Sequence, residues 1–572
     1  MFEKPIRKNH SKFWIVMVLL TLSVEYVKPN DYFDLIILHT NDMHGRFLPI
    51  DSSLESYRGS DMNSNKGFGG FARISRVLKD YRQAAKNGTG PPVLYLDAGD
   101  IFTGSRWFSL FKSNITADFM NILYPDAMCL GNHEFDHGIE TLQQFLNRVK
   151  FPVLFSNFEN GANHSLRRTK WLMPSCTIRV KGVRIGIIGY LTPETREKAP
   201  DCDVKFTSEI MTINDEAREL HRNGANIIIA LGHSGFKMDL EIAANCPRVD
   251  IVIGGHSHKF LYTGRQPDTD SADGATYPTI VTQANGKEVP VVTAFWATKY
   301  LGKLELRFKN GRLYKWGGNP ILLHPQIPQD RQVMALEKEY RKREREVSGP
   351  PIGQSKLDFN DLKCRILECG LGNIMTDSFV KESLSALDDI SFISTIALFT
   401  SGSIRSGLRA GNITRTDLEE VLPFNNDLVI VKCPGDILLQ ALEYSVRKYR
   451  EQRFIGTFLQ ISGMRVVFDM ARSPGNRVKT VEIRTTRTAY EKLDFRRQYN
   501  VIITSFMHRQ SVGFAMFGIC KAKYLPVMTL DAFQKYVKAE KIIKPASRQE
   551  RRITILNEPP LLPSSPPFHS YN

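Results

Sequence analysis

The stretch Gly131-Asn132-His133-Glu134-Phe135-Asp136 sets an amide, an imidazole and two carboxylates directly after the apolar run Ala127-Met128-Cys129-Leu130. A short apolar run bounded by polar residues reads as a buried strand, so the polar cluster falls where that strand runs into a loop. Such a cluster suits a hydrolytic metal site. The pattern recurs along the chain. Residues 35–38 run into His39-Thr40-Asn41-Asp42-Met43-His44, and residues 93–96 into Asp97-Ala98-Gly99-Asp100. Residues 227–231 run into Gly232-His233-Ser234, and residues 251–253 into Gly254-Gly255-His256-Ser257-His258. Asp42 and His44 are two apart, so in an extended segment they share a face and point into one pocket. Stretches with helical character, 71–86 and 213–223, lie between the runs. Strands alternating with helices predict an α/β layered domain, whose ligands gather at the C-terminal ends of the strands.

The donor types decide the chemistry. Asp, His and Asn without cysteine suit zinc, manganese or similar ions and argue against an all-oxygen calcium cage. The candidate donors Asp42, His44, Asp100, Asn132, His233, His256 and His258 are too many for one tetrahedral ion. Two ions about 3.5–4 Å apart, bridged by one carboxylate, use them all. The expected cofactors are therefore two divalent ions, zinc or manganese, or a pair that calcium or magnesium supports. His133 beside Asp136 has the look of an acid–base dyad, an imidazole next to a carboxylate that orients it.

At 572 residues the chain is too long for one core and predicts two or more domains. Its net charge of +16 fits an anionic cell surface or a small anionic substrate. No zinc-finger spacing, RNA-binding aromatic signature or recognition-type basic helix is present, so a nucleic-acid partner is not expected. Lys4, Arg7, Lys8 and Lys12 precede the apolar residues 13–24, which reads as a secretory signal over residues 1–27, with an uncleaved anchor as the alternative. The end of the chain, a Pro-rich tail over 551–572, lacks the apolar stretch of about 10–20 residues that a lipid anchor requires. The expectation is a secreted, extracellular protein. Glycosylation acceptors at Asn87, Asn114, Asn163 and Asn412 agree with that compartment. So does the closeness of Cys364 and Cys369, which permits a small disulfide loop; spacing does not pair the other six cysteines.

The motifs Asp42-Met43-His44, Asp97-Ala98-Gly99-Asp100, Gly131-Asn132-His133-Glu134, Gly232-His233 and Gly255-His256-Ser257-His258 resemble those of the metallophosphoesterase domain of 5′-nucleotidases. The resemblance covers nearly the whole mature chain and extends to animal ecto-5′-nucleotidases and the secreted apyrases of blood-feeding arthropods. It implies an N-terminal four-layered α/β sandwich over 33–325, a linker helix over 326–350 about which the domains rotate, and a C-terminal α/β nucleotide-binding domain over 351–550. It implies that Asp42, His44, Asp100 and His258 hold one ion and that Asp100, Asn132, His233 and His256 hold the second, with Asp100 as bridge. His133 and Asp136 become the catalytic dyad, and Arg46 a phosphate-facing arginine. Residues 295–308 resemble the strand that closes the first domain. In residues 329–347, Val333, Leu336 and Tyr340 share one helical face, which suits both a linker and a solvated surface helix.

In the second half, Cys364–Cys369 resembles a disulfide loop carrying a phosphate-binding arginine, Arg365, and Arg405 resembles a second one. Guanidinium suits phosphate because its planar fork pairs two oxygens at once. Phe424 and Phe506 match two aromatics that stack on the base. Two departures stand out. Thr400 replaces an asparagine that contacts the base, and Val512, in Gln510-Ser511-Val512-Gly513-Phe514, replaces an aspartate that accepts from ribose. Each lost bond to a charged acceptor is worth about 1.5–3 kcal/mol. The sequence thus predicts retained hydrolysis with altered nucleoside recognition. The expected activity is release of phosphate from extracellular ATP and ADP, as in an apyrase, ahead of release from AMP, with a consequence for platelet activation; the basic charge, the loosened nucleoside site and the lack of an anchor signal set that order. A platelet-receptor antagonist on the same scaffold is the rival reading. It is disfavoured by the full donor set, and the Arg58-Gly59-Ser60-Asp61 tetrapeptide gives it little support. A broad phosphodiesterase or nucleotide-sugar hydrolase uses the same centre.

Overall fold

The structure is a computed structural model. It describes residues 32–558 except 52–53, 55, 57–66, 159–164, 199–203, 269, 271–273, 360–361, 385–394, 425, 450–455, 487, 510–512 and 545–550. The expected signal segment, the last residues of the tail, Asn163, the 58–61 tetrapeptide and Val512 lie outside the described residues.

Strands β1 (Tyr32–Thr40), β2 (Val93–Asp97), β3 (Ala127–Cys129), β4 (Val153–Leu154) and β5 (Leu172–Met173) run side by side in parallel. A second sheet begins with β6 (Ser175–Val180) and β7 (Val183–Leu191), continues with β8 (Ile227–His233) and β9 (Ile251–Ile253), and ends with β10 (Thr279–Thr282) and β11 (Glu288–Val292). Its order is β10-β11-β9-β8-β7-β6. The chain then returns to the first sheet. There β12 (Tyr300–Lys309) pairs antiparallel with β1, and β13 (Arg312–Gly318) and β14 (Ile321–Leu322) pair with β12.

Period-two alternation sorts β1 between two cores. Leu35 and Ile37 enter the core shared with Ile187, Ile229 and Ile251 of the second sheet. Ile36 and Leu38 face the other way, onto the helices Phe71–Lys86, Arg106–Leu123 and Gly138–Arg148. The helices Glu209–Arg222 and Phe236–Asn245 cover the far face of the second sheet. Helices, sheet, sheet and helices make four layers. All five apolar runs around the quoted motifs form strands, and the helix expected over 213–223 starts a turn earlier, at Glu209.

The expected strand over 295–308 begins only at Tyr300. Phe295, Ala297 and Thr298 adopt left-handed φ of 67°, 55° and 64°, which no strand accommodates.

The helix Arg331–Val347 starts where the Asp330 carboxylate accepts from Gln332 N and Val333 N. Val333 and Tyr340 are buried, and Leu336 packs with them on the first-domain core. Tyr340 meets Phe111 at 4.9 Å between ring centroids and donates to Asp118 at 2.7 Å. This helix is docked on the first domain rather than being a solvated strut.

Every described strand after it belongs to other sheets. The largest orders Leu459–Ser462, Thr395–Thr400, Gln498–Thr504, Asp427–Pro434 and Lys521–Met528. Helices Gly370–Leu384 and Thr529–Glu540 pack on one face, and Gly435–Ser445 with a four-stranded sheet on the other. Cys364 is bonded to Cys369, and Cys433 to Cys520, a pairing that sequence spacing did not reveal.

Candidate metal centre and nucleotide site

Each donor segment leaves the C-terminal end of a strand and turns sharply. Asp42, His44, Asp100, His256 and His258 all hold left-handed φ, between 46° and 73°. Such backbone is disfavoured for residues with a Cβ and persists only where the surroundings over-determine it. For Asp42 and Asp100, two buried side chains supply that determination. Asn41 donates to Asp42 Oδ2 at 2.7 Å and to Phe295 O at 2.6 Å, and accepts from Ala294 N at 2.8 Å. Glu134 accepts from the backbone N–H groups of Asp100, Ile101 and Phe102 at 2.9–3.0 Å and of Gly131 at 2.5 Å. Burial and the Asp100 charge push the Glu134 carboxyl up to about 8, against the pull of those amides. At Gly255 no side chain fits, because a Cβ would lie 2.7 Å from His233 Nδ1 and 2.9 Å from Ala98 O.

The donor atoms converge. Asp42, His44 and His258 form one group with ligand atoms within 4.8 Å of one another; Asp100, His233 and His256 form another, and His44, Asp100 and His133 a third. His233 Nδ1 donates to Ala98 O at 2.7 Å, which turns the lone pair of Nε2 toward Asp100 Oδ2 at 2.9 Å. His44 Nδ1 donates to Thr103 O at 3.0 Å, and its Nε2 faces His258 Nε2 at 3.2 Å. Asn132 Oδ1 is buried without a hydrogen-bond partner among the described residues. Acceptors facing acceptors at these distances call for a cation between them, so the residues fit divalent metal.

The carboxylates give the site a strong demand for positive charge. Burial pulls the His233 imidazole down, but the Asp100 and Asp42 carboxylates outweigh it and push it up to about 10. Burial, reinforced by Arg405, holds His44 well below its usual range. Burial would raise Asp100, yet the imidazoles of His233 and His133 hold it well below the usual carboxylate range.

His133 Nδ1 lies 2.6 Å from Asp136 Oδ2, while its Nε2 lies 3.9 Å from Asp100 Oδ2. Its Nε2 therefore faces the donor cluster. The second domain reaches into the same space. Arg405 Nη2 lies 3.5 Å from His44 Nδ1, and the Phe424 ring lies over His133 at 6.1 Å and 29°. Arg365 donates to Ile404 O at 3.4 Å, beside Arg405. Thr400 is buried with its hydroxyl 3.0 Å from Ser403 Oγ, and Phe506 is half-buried in the short helix Ser505–His508. Arg46, expected to face phosphate, is buried and donates to Leu54 O at 3.0 Å and His44 O at 3.4 Å. It braces the turn that carries His44.

Between the domains, Arg106 is a hub. It meets Glu344 at 2.6 Å, Asp417 at 2.5 Å, Ser348 at 2.8 Å and Thr414 at 3.3 Å, and Trp107 donates to Glu344 at 2.7 Å. Sequence reasoning assigned no role to Arg106, Asn41 or Trp296. Glu134 lay inside the quoted motif, and a carboxylate next to a buried strand was the available signal.

Two family models match the chain: calcineurin-like phosphoesterase over residues 35–260 and 5′-nucleotidase, C-terminal domain, over residues 351–519. Protein 5NUC of Lutzomyia longipalpis is 41% identical over 95% of this chain and 96% of its own length. The chain belongs to the 5′-nucleotidase family. The human 5′-nucleotidase is 36% identical over 84% of each chain. The solved 5′-nucleotidase precursor from Thermus thermophilus is 32% identical, with a TM-score of 0.77 over 92% of this chain and 100% of its own. As a member of this family the protein is a metal-dependent nucleotide phosphohydrolase, and the donor cluster at the strand ends is where a divalent metal fits.

Proposed function

We propose that the protein is a secreted enzyme that removes the 5′-phosphate of extracellular mononucleotides at a two-metal centre. Asp42, His44, Asp100 and His258 would hold one ion, and Asp100, Asn132, His233 and His256 the other. When bound, the ions supply charge stabilisation of the phosphoryl oxygens and a hydroxide near neutral pH. The chain's own residues do the rest. Arg405 and Arg365 hold the phosphate in the cleft between the domains. Phe424 and Phe506 take the base. His133, with Nδ1 bound to Asp136, presents Nε2 to the reacting group and carries a proton there.

The approach of Arg405 to His44 carries this reading, because a phosphate-binding guanidinium from one domain meets the donor cluster of the other. The names of the relatives support mononucleotides as substrates. The basic leader at residues 1–27 supports secretion.

Thr400 and Val512 favour a second reading, an apyrase acting on ATP and ADP and thereby limiting platelet activation. Phosphate release from AMP, ADP and ATP, with and without a chelator, decides between them. The proposal expects chelator-sensitive release that is fastest from AMP. Faster release from ADP and ATP selects the apyrase, and no release with any divalent ion refutes both.

A further inference from the structure

The imidazoles of the centre are held in two different ways. His44, His233 and His133 each have a hydrogen-bond partner at Nδ1: Thr103 O, Ala98 O and Asp136. His258 has none among the described residues, although its Nε2 lies 3.1 Å from Asp42 Oδ1 and 3.2 Å from His44 Nε2. Its ring instead lies flat on Trp296, with centroids 4.9 Å apart and planes 13° from parallel. The same indole meets His44 in a T-shaped pair, at 6.3 Å and 75°.

The platform is itself fixed. Trp296 packs on a small apolar cluster of Ile50, Phe260, Phe295 and Tyr300. Its neighbours Phe295, Ala297 and Thr298 are all left-handed, and such strain concentrates where a loop is held for a purpose. Phe295 N donates to Lys259 O at 3.1 Å, and Ala297 N to Asp42 O at 3.0 Å. The loop is thus tied to the chain beside His258 and to Asp42, the two residues whose donor atoms must meet.

We propose that Trp296 is a positioning residue for His258, ring stacking doing the orienting that a backbone carbonyl does for His44 and His233. The inference rests on the reading of His258 as a metal donor. Outer groups that orient a liganding histidine typically change metal affinity by about 10–100-fold when removed.

The test compares metal-loaded wild type, Trp296→Ala and Trp296→Phe. Each is dialysed against rising chelator, and bound manganese per chain is counted. Wild type is expected to release two ions. Trp296→Ala releases one of them at about 10–100-fold lower chelator, with the other changed less than about threefold. Trp296→Phe, which keeps a ring to stack, recovers most of the loss. Unchanged release from Trp296→Ala overturns the inference, as does equal loss of both ions without rescue by Phe. Failure of wild type to hold two ions overturns the two-metal reading instead, before any variant is compared.

Discussion

Arg405 Nη2 sits 3.5 Å from the Nδ1 of His44, a residue 361 positions earlier in the chain and in the other domain. A guanidinium placed against a ring that burial keeps neutral gains no charge pairing from that ring. The geometry makes sense when an anion binds alongside the guanidinium at the mouth of the donor cluster. Removing a bond from a charged donor to phosphate is worth about 1.5–3 kcal/mol. Arg405→Ala should therefore lower kcat/KM for AMP by about 10–100-fold. Hydrolysis of a small aryl phosphate, which offers Arg405 the same phosphate without a nucleoside, should fall by a similar factor. Steady-state kinetics on both substrates checks this.

The Arg106 hub predicts a conformational effect. Its guanidinium joins the first domain to Glu344 of the linker helix and to Asp417 of the second domain. Arg106→Ala leaves both carboxylates without that partner in a partly buried place. The domains should separate more readily, with a larger radius of gyration in solution scattering. The KM for AMP should rise about tenfold, the size of effect that a loss of about 1–1.5 kcal/mol gives. An unchanged scattering profile and KM would mean that the hub does not hold the domains.

Gly255 predicts a loss at the centre itself. A methyl group there meets His233 Nδ1 at 2.7 Å and Asp42 Oδ2 at 3.1 Å, neither of which can move without breaking its own bonds. Gly255→Ala should fold, since the sheets beneath it are untouched, yet retain at most half the wild-type metal. Circular dichroism and metal counting on the same sample test both halves of that statement.

Glu337 predicts a pH dependence away from the centre. Burial in the linker helix pushes its carboxyl from 4.5 up to about 7, against the pull of Arg341 and Arg73. The folded state therefore holds a proton that the unfolded state has released between those values. The associated stability is fully present below pH 4.5 and is lost as pH rises through 7. Glu337→Gln is neutral throughout. Its stability relative to wild type should grow from near zero at pH 4.5 to as much as ~3 kcal/mol at pH 8. Thermal midpoints across that range report it, and a constant difference would contradict the assignment.

The parallel strands and their ends were legible because apolar runs ending in Asp, Asn or His carry both the period and the chemistry. The helix at 71–86 was legible from apolar residues at helical spacing, Phe71, Ile74, Val77 and Leu78. The turn at 295–299 was not, because apolar and aromatic residues there promise a strand while the backbone is bent by bonds to Asp42 and Lys259, both remote in sequence. Arg46 matched a motif position, but its burial under the His44 turn depends on tertiary packing. Arg106 carried no signal, since a lone arginine before an apolar helix looks like any surface residue. Cys433 and Cys520 lie on two neighbouring segments that only the sheet order brings together.

Donors from five separate strand ends are proposed to share one metal centre beneath Arg405. Anomalous X-ray diffraction from manganese-soaked crystals tests it most directly. The account predicts two peaks, one bounded by Asp42, His44 and His258, the other by Asn132, His233 and His256, with the Asp100 carboxylate touching both. A single peak elsewhere, or none at saturating manganese, would contradict it.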